Sequence, residues 1–450
     1  MIKIPNLENN SFNRLFLFIF TLVVLVVSML TPPFQSPDEP VHLSRAYSVA
    51  TGQIILKGGQ VDIDKNLVQF KNLNENIRFH YDQKRTKEQE IQLRSIKWSN
   101  ENMSEGIAGS AVYLPILYVP QGIGLLLGKL FNLSIYHSYE LAKLFSLISC
   151  IFLIWISSKF YPIPALAYIF IAMPMSIFQI SSSSPDGLSF SISFLIGSIL
   201  IKILENKVFD KKLIYILAIS LVSLVTIRIN LFPIFLLIFL IFIQSKEVNE
   251  NKGMFVILLS FLLSLGWIIL AYKTIMIDSN GSGNFNQSGM TATDKILYFL
   301  SHKKEFFMFF VNTFLNEKEM SWQYKHFIGV LGWSDTHLEK WMYYYLTIII
   351  FIISALTIKL NRICKDIFPF VIFFIVILFT FFILLVTWTD LSSPIIVGVQ
   401  GRYFIPFAII LAYLSFIAKR NNALNYLILL FLISSSLFTI NSLIYRYYIG

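Results

Sequence analysis

A chain of 450 residues that is 56% hydrophobic and only 14% charged, with a mean hydropathy of +0.67, departs from an ordinary soluble domain, where about a quarter of residues are charged. Its formal charge of +10 lies largely in short loops between apolar runs, where the positive-inside bias of membrane insertion puts it, and so argues against a nucleic-acid partner. Of the two cysteines, Cys150 lies in an apolar run and Cys364 in a basic loop, with no second Cys or clustered His near either, so neither a disulfide framework nor a zinc site is expected.

The first apolar run, Leu15 to Pro33, is uncharged and about long enough to cross a hydrocarbon core roughly 30 Å thick. It ends in Thr31-Pro32-Pro33 without a small-residue cleavage site and reads as a retained span. Further runs at 140–158, 163–180, 187–204, 213–228, 231–244, 254–276, 343–358, 367–388, 403–418 and 423–444 bring the expected total to about eleven spans. The fold class expected is therefore all-α, a polytopic integral membrane protein forming one domain over 1–450. Two polar stretches, 34–110 and 278–341, interrupt the spans. The cations Lys3, Arg14, Lys202, Lys207, Lys211, Lys212, Lys246, Lys252, Lys359, Arg362, Lys365, Lys419 and Arg420 mark the cytoplasmic side, which puts the N-terminus inside and both polar stretches outside. The segment 112–131 is apolar enough to cross, but a crossing there gives the wrong parity for that orientation. With Pro115, Pro120, Gly122, Gly124 and Gly128 it is a poor straight helix, and it is expected as an interfacial or re-entrant element folded onto the first loop. That loop is basic (Lys84, Arg85, Lys87, Arg94, Lys97), its default reading is a solvated subdomain, and its Glu88, Glu90, Glu101 and Glu105 lack metal-ligand spacing.

The most informative stretch, Ser36 to Tyr47, follows the first span directly. Ser36 as N-cap, Pro37 at the first helical position and Glu39 three residues after the cap predict a capping-box helix start. In such a helix Asp38, His42 and Arg45 stand at i, i+4 and i+7 and share one face. Acidic residues in a first turn also merely complement the macrodipole, but ionisable groups crowded at a membrane edge are costly and point to function. Ser184-Pro185-Asp186 repeats the start and puts a second carboxylate at the same face, where it could also serve only to cap the next span. Arg228 and Arg402 are cations on the side that insertion disfavours, so each needs an anionic partner. Bidentate phosphate contacts suit Arg, and ion pairs to Asp186, Asp390 or Glu39 are the structural alternative. The stretch Gly329 to Asp335 contains Trp333 and Asp335, with Trp322 and Trp341 nearby; the Trp rings offer an aromatic face for a sugar ring or serve as interfacial anchors.

On these residues the chain resembles the bacterial membrane-protein family called domain of unknown function 2142. The matching pieces are Ser36-Pro37-Asp38-Glu39-Pro40-x-His42, Pro115-x-x-Tyr118-x-Pro120-Gln121, Met173-Pro174-Met175 followed by Ser184-Pro185-Asp186, Leu331-Gly332-Trp333-x-Asp335 and Gln400-Gly401-Arg402-Tyr403-x-x-Pro406, spread over nearly the whole chain in one order. That family in turn looks like the GT-C superfamily of polytopic glycosyltransferases. Asp38-Glu39-x-x-His42 is similar to the Asp-Glu motif in the first outer loop of protein O-mannosyltransferases, whose added lumenal domain has no counterpart here. The resemblance implies a bacterial plasma-membrane enzyme that moves a sugar from a polyprenyl-phosphate donor to a glycan or other acceptor hydroxyl at the outer face. Asp38, assisted by Glu39 or His42, would be the base. Arg402, with Arg228 or Arg45 as alternates, would stabilise the leaving phosphate, and Asp186, Trp333, Asp335, Gln400 and Tyr403 would surround them. A divalent cation, Mg or Mn, on Asp38 and Glu39 is compatible with the sequence but not demanded by it. A flippase or transporter of lipid-linked saccharides would use the same outer cations but needs coupling residues near mid-membrane, and a glycan polymerase or ligase would share donor and side.

Overall fold

The computed structural model of the chain describes residues 7–206, 210–237, 250–276, 290–358, 363–415 and 420–449. These form an all-α polytopic membrane protein with two short β-ribbons. The principal helices are α1 (Leu7–Leu30), α2 (Glu39–Ala50), α3 (Val119–Leu130), α4 (Ile135–Phe160), α5 (Ala165–Ala172), α6 (Pro174–Ile180), α7 (Asp186–Asn206), α8 (Lys211–Ile227), α9 (Glu250–Ala271), α10 (Glu317–Ile328), α11 (Lys340–Thr357), α12 (Ile363–Thr387), α13 (Ile405–Ser415) and α14 (Asn422–Tyr447).

Among the described residues, seven helices are long and apolar enough to cross a membrane, in α1, α4, α7, α9, α11, α12 and α14. Three more expected runs appear as shorter pieces. The 213–228 run is α8 and the 403–418 run is α13, with 416–418 outside the described residues. The 163–180 run is broken into α5 and α6 at Met173, which is extended (φ −61°, ψ 147°) because the following proline disfavours helical geometry before it. The Ala172 carbonyl at the break is taken by Ser435 Oγ of α14 at 2.6 Å. Of the 231–244 run only 231–237 is described, beginning with the 3-10 turn Ile229–Ile234.

Chain direction follows from polar contacts at the two ends of the bundle. At one end Asn13 donates to Ser158 (2.8 Å) and accepts from Tyr168 (2.9 Å), with Arg420 over the Phe12 and Tyr168 rings. At the other, Lys143 Nζ donates to the Ser28 carbonyl at 2.9 Å. Hence α1 and α4 run antiparallel, and α2, the loop before α7, and the start of α13 all gather at the Lys143 end. The central helix is α7: 83% of its apolar window is buried, against 22% for α9. Its first residue, Asp186, is therefore held at the middle of that end. Ser191 and Ser193 along α7 bond to backbone carbonyls one turn back, which satisfies their hydroxyls without partners from lipid.

The first polar stretch packs onto the same end. Strand β1 (Gln60–Asp64) pairs antiparallel with β2 (Asn102–Gly106), and buried Lys71 closes the subdomain with an ion pair to Glu105 and a bond to Ser44 of α2. Segment 112–131 leaves and rejoins this subdomain: the Tyr113 carbonyl accepts from Arg45 and the Asn132 carbonyl from Lys97. Its glycines, read from the sequence as helix weakeners, are close-approach points. A Cβ at Gly124 would lie 2.6 Å from Ala142 Cα and one at Gly128 2.2 Å from Ser138 Oγ, so α3 lies directly on α4.

The last helix is tied to this end by fully buried Arg446, whose guanidinium meets Asp335 (Nη2 at 2.8 Å, Nε at 3.2 Å) and the carbonyls of Ile77 and Gln83. Removing one member of a buried pair costs about 3–5 kcal/mol because the other is left uncompensated. Arg446→Met should therefore lower the detergent-solubilised melting temperature sharply, and adding Asp335→Leu should recover part of that loss. Equal melting temperatures for parent and Arg446→Met would show that Arg446 does not clamp the last helix.

Candidate functional site

The chain turns abruptly after α1. The Glu39 N–H bonds to the Ser36 carbonyl at 3.2 Å, and the helix begins at Glu39 with Asp38 as its N-cap, in the left-handed region (φ 61°, ψ 4°). The expected start at Ser36 is thus displaced by two residues. The proline that fits the first turn, where no N–H is needed, is Pro40 rather than Pro37. Half of the expected box survives, since Glu39 Oε2 accepts from Ser36 N at 3.3 Å. Asp is one of the few residues that tolerate left-handed backbone, at a cost of the order of 1 kcal/mol. The side chain emerges from the turn 58% exposed and faces Arg402 (Nη2 to Oδ2, 3.7 Å).

Arg402 belongs to the 3-10 turn Gly401–Phe404 that opens α13. It is buried, and its Nε lies 3.8 Å from Asp186 Oδ2. The other Asp186 oxygen is bound by Arg228, the residue that ends α8. Asp186 therefore sits between two guanidiniums, and the Tyr403 ring lies under both, at 5.2 Å from Arg228 and 5.7 Å from Arg402. A third cation was not foreseen from the sequence: Arg78 lies 3.5 Å over the Trp333 ring and within electrostatic reach of Asp38. Nothing in the basic first loop marks Arg78 apart from its neighbours.

The one-face reading of Asp38, His42 and Arg45 fails for Arg45. Its guanidinium is spent on the carbonyls of Gln53, Ile54 and Tyr113 and on Ser48, so it fastens the loop after α2 and does not face Arg402. Glu39 also turns away, inward, where it accepts from Tyr139 (2.8 Å) and from the Ser183 backbone (2.9 Å) and hydroxyl (3.1 Å). It couples α2 to α4 and to the loop before α7. Asp38 and Glu39 consequently do not converge as a metal pair, and among the described residues no group of three or more His, Cys, Asp or Glu converges. Asp335 is bound to Arg446, and Trp333 donates to the Phe34 carbonyl at 2.9 Å while Arg78 covers its ring. Both are set beside the cluster as supports. Arg446 was missed too, although an Arg ending the last apolar run, on the side that the expected orientation makes the outer one, was the same signal that singled out Arg228 and Arg402.

Residues 19–411 match the family described as Predicted membrane protein (DUF2142). The chain belongs to the DUF2142 family. No curated protein and no solved structure matches it. The pieces of sequence on which the DUF2142 resemblance rests come together at the Asp38 end of the bundle. Tyr118 bonds to His42, Gln121 bonds to Ser146 and to the Ser183 carbonyl, Pro174 breaks α5 from α6, and Arg402 pairs with Asp38 and Asp186.

His42 lies under this cluster, with Nδ1 2.8 Å from Tyr118 OH and the Tyr113 ring stacked on it. Burial pushes its pKa down to about 4, the positive charges of Arg228 and Arg402 act the same way, and Asp38 opposes them. It is therefore a neutral imidazole at neutral pH. Because its folded value lies below the usual 6.5, the unfolded chain takes up the proton first. The stability that neutral His42 contributes is present above about pH 6.5 and is lost progressively toward about pH 4, by roughly 3 kcal/mol at most. His42→Gln should flatten that part of the melting-temperature profile between pH 7.5 and 4.5. A profile unchanged by the substitution would show that His42 is not buried in the neutral form.

Proposed function

We propose that this DUF2142 protein is a membrane glycosyltransferase that moves a sugar from a polyprenyl-phosphate donor to an acceptor hydroxyl, with inversion, at the membrane face that carries Asp38. In this reading that face is the outer side of a bacterial plasma membrane and the N-terminus is cytoplasmic. The observation that carries it is the juxtaposition of an open carboxylate, Asp38, with Arg402, which shares the Asp186 carboxylate with Arg228. A base and a pair of phosphate-binding cations stand side by side. Asp38 takes the proton of the acceptor hydroxyl, and the new oxygen–carbon bond forms at the sugar as its bond to the phosphate oxygen breaks. The leaving phosphate keeps that electron pair and is held by Arg228 and Arg402.

The tail of such a donor fits an apolar groove of about 620 Å³ between α3, α4, α7 and α8, lined by Leu117, Pro120, Phe152, Leu188 and Ile216 among others. It comes within two residues of Asp186 at Leu188 and within one of Tyr118 at Leu117. The gathering of Asp38, Asp186, Arg228 and Arg402 at one end of the bundle favours this over alternating access, which works from ionisable residues near mid-membrane. The resemblance to GT-C enzymes points the same way.

Asn is nearly isosteric with Asp and also tolerates left-handed backbone, so Asp38→Asn removes the charge and keeps the turn. It should reduce sugar transfer by a factor of about 10² to 10⁴ with expression and membrane insertion near normal. Arg402→Ala should lower kcat/KM by about 10² to 10³. Comparing surface-glycan composition in cells carrying each variant checks both, and full glycan modification by Asp38→Asn would remove Asp38 from the role of base.

A further inference from the structure

Around the Gly401–Phe404 turn a set of buried polar atoms has no hydrogen-bond partner among the described residues: Nε of Arg402, Nε of Arg228, Oε1 of Gln400 and both ring nitrogens of His326. Buried polar atoms left unpaired are costly, and folded proteins keep few of them without a reason. His326 is the clearest of the set. The residue is only 1% exposed and stands on α10, the helix pressed onto this turn. At Gly401 an added Cβ would lie 2.0 Å from the Gln323 carbonyl oxygen and 2.4 Å from Phe327 N, so the turn and α10 are in backbone contact one residue from Arg402 and from His326. The His326 ring packs on Trp322 with 4.3 Å between centroids. Burial, together with the nearby charge of Arg402, pushes its pKa down to about 3.

A neutral imidazole has one donating and one accepting nitrogen. The two guanidinium Nε atoms are donors, and Gln400 Oε1 is an acceptor. A phosphate presents acceptor oxygens and can satisfy the guanidiniums, but an ionised phosphate offers nothing to Gln400 Oε1 or to the accepting nitrogen of His326. A ring bearing several hydroxyls both donates and accepts. We propose that His326 and Gln400 form the subsite for the hydroxyls of the donor's sugar ring, beside the phosphate held by Arg402 and Arg228. This rests on the glycosyltransferase reading and gives α10, in the second polar stretch, a part in choosing the sugar.

The test is binding to the purified full chain, followed by tryptophan fluorescence because Trp322 lies against His326. The probes are geranyl phosphate and its glucose, mannose and arabinose phosphodiesters. The parent chain should bind at least one sugar conjugate about tenfold more tightly than geranyl phosphate. His326→Phe preserves an aromatic ring against Trp322 and removes two unpaired polar atoms, so it should fold at least as stably as the parent. Both His326→Phe and His326→Asn should lose the sugar increment while keeping the parent affinity for geranyl phosphate. No increment in the parent, an increment retained in His326→Phe, or a marked loss of thermal stability in both variants would overturn the subsite and leave the glycosyltransferase reading standing. A parent that binds none of the probes would overturn both.

Discussion

One carboxylate organises this end of the molecule. Asp186 holds Arg228 on one oxygen and faces Arg402 with the other, so two like charges that would repel in a medium of low dielectric share a single counter-ion. The sharing leaves the pair short of negative charge. Asp38 supplies some of it from 3.7 Å but remains half open to the outside. In the proposed reading this shortfall is what an incoming anion meets, since Arg suits a planar, bidentate partner such as phosphate.

The rest of the fold serves that arrangement. Asp186 is fixed because it begins the most buried of the seven long apolar helices among the described residues, where the N–H groups of a first turn, which have no partner within the helix, also favour a carboxylate. Arg228 ends the neighbouring helix, at the terminus that favours a cation. Glu39, Tyr139 and Ser183 tie the turn of Asp38 to α4 and to the loop that leads into α7, so the strained turn and the central helix are set by a common buried network. Arg45, Lys71 and Arg446 each fasten loops at the same end.

Much of this was legible in the amino acids, and the failures have physical causes. Hydropathy gave the all-α class and the location of the seven long apolar helices among the described residues, because lipid imposes one requirement on every crossing segment; the other four of the eleven expected runs are shorter, broken or only partly described. Insertion bias singled out Arg228 and Arg402 as cations in need of partners, and Asp186 is the partner of both. Where several outcomes satisfy the same local rule, the sequence was ambiguous. Ser36 and Asp38 are both good caps, and the bond from Glu39 N to Ser36 O decided between them. Helical spacing placed Arg45 near Asp38 but could not show that three carbonyls would claim its guanidinium. Arg78 and His326 reach the cluster through loop and helix packing that no local pattern encodes, and the alternation in Gln60–Asp64 was too short to stand out as a strand.

In the proposed reading Arg228 and Arg402, although both face Asp186, retain the capacity to bind a phosphate. Isothermal titration of the purified chain with decyl phosphate, with Arg228→Gln and Arg402→Gln introduced singly and together, measures it directly. Saturable binding by the parent is expected, weakened by each change and abolished by both. Binding that survives the double substitution, or that is absent from the parent, would contradict it.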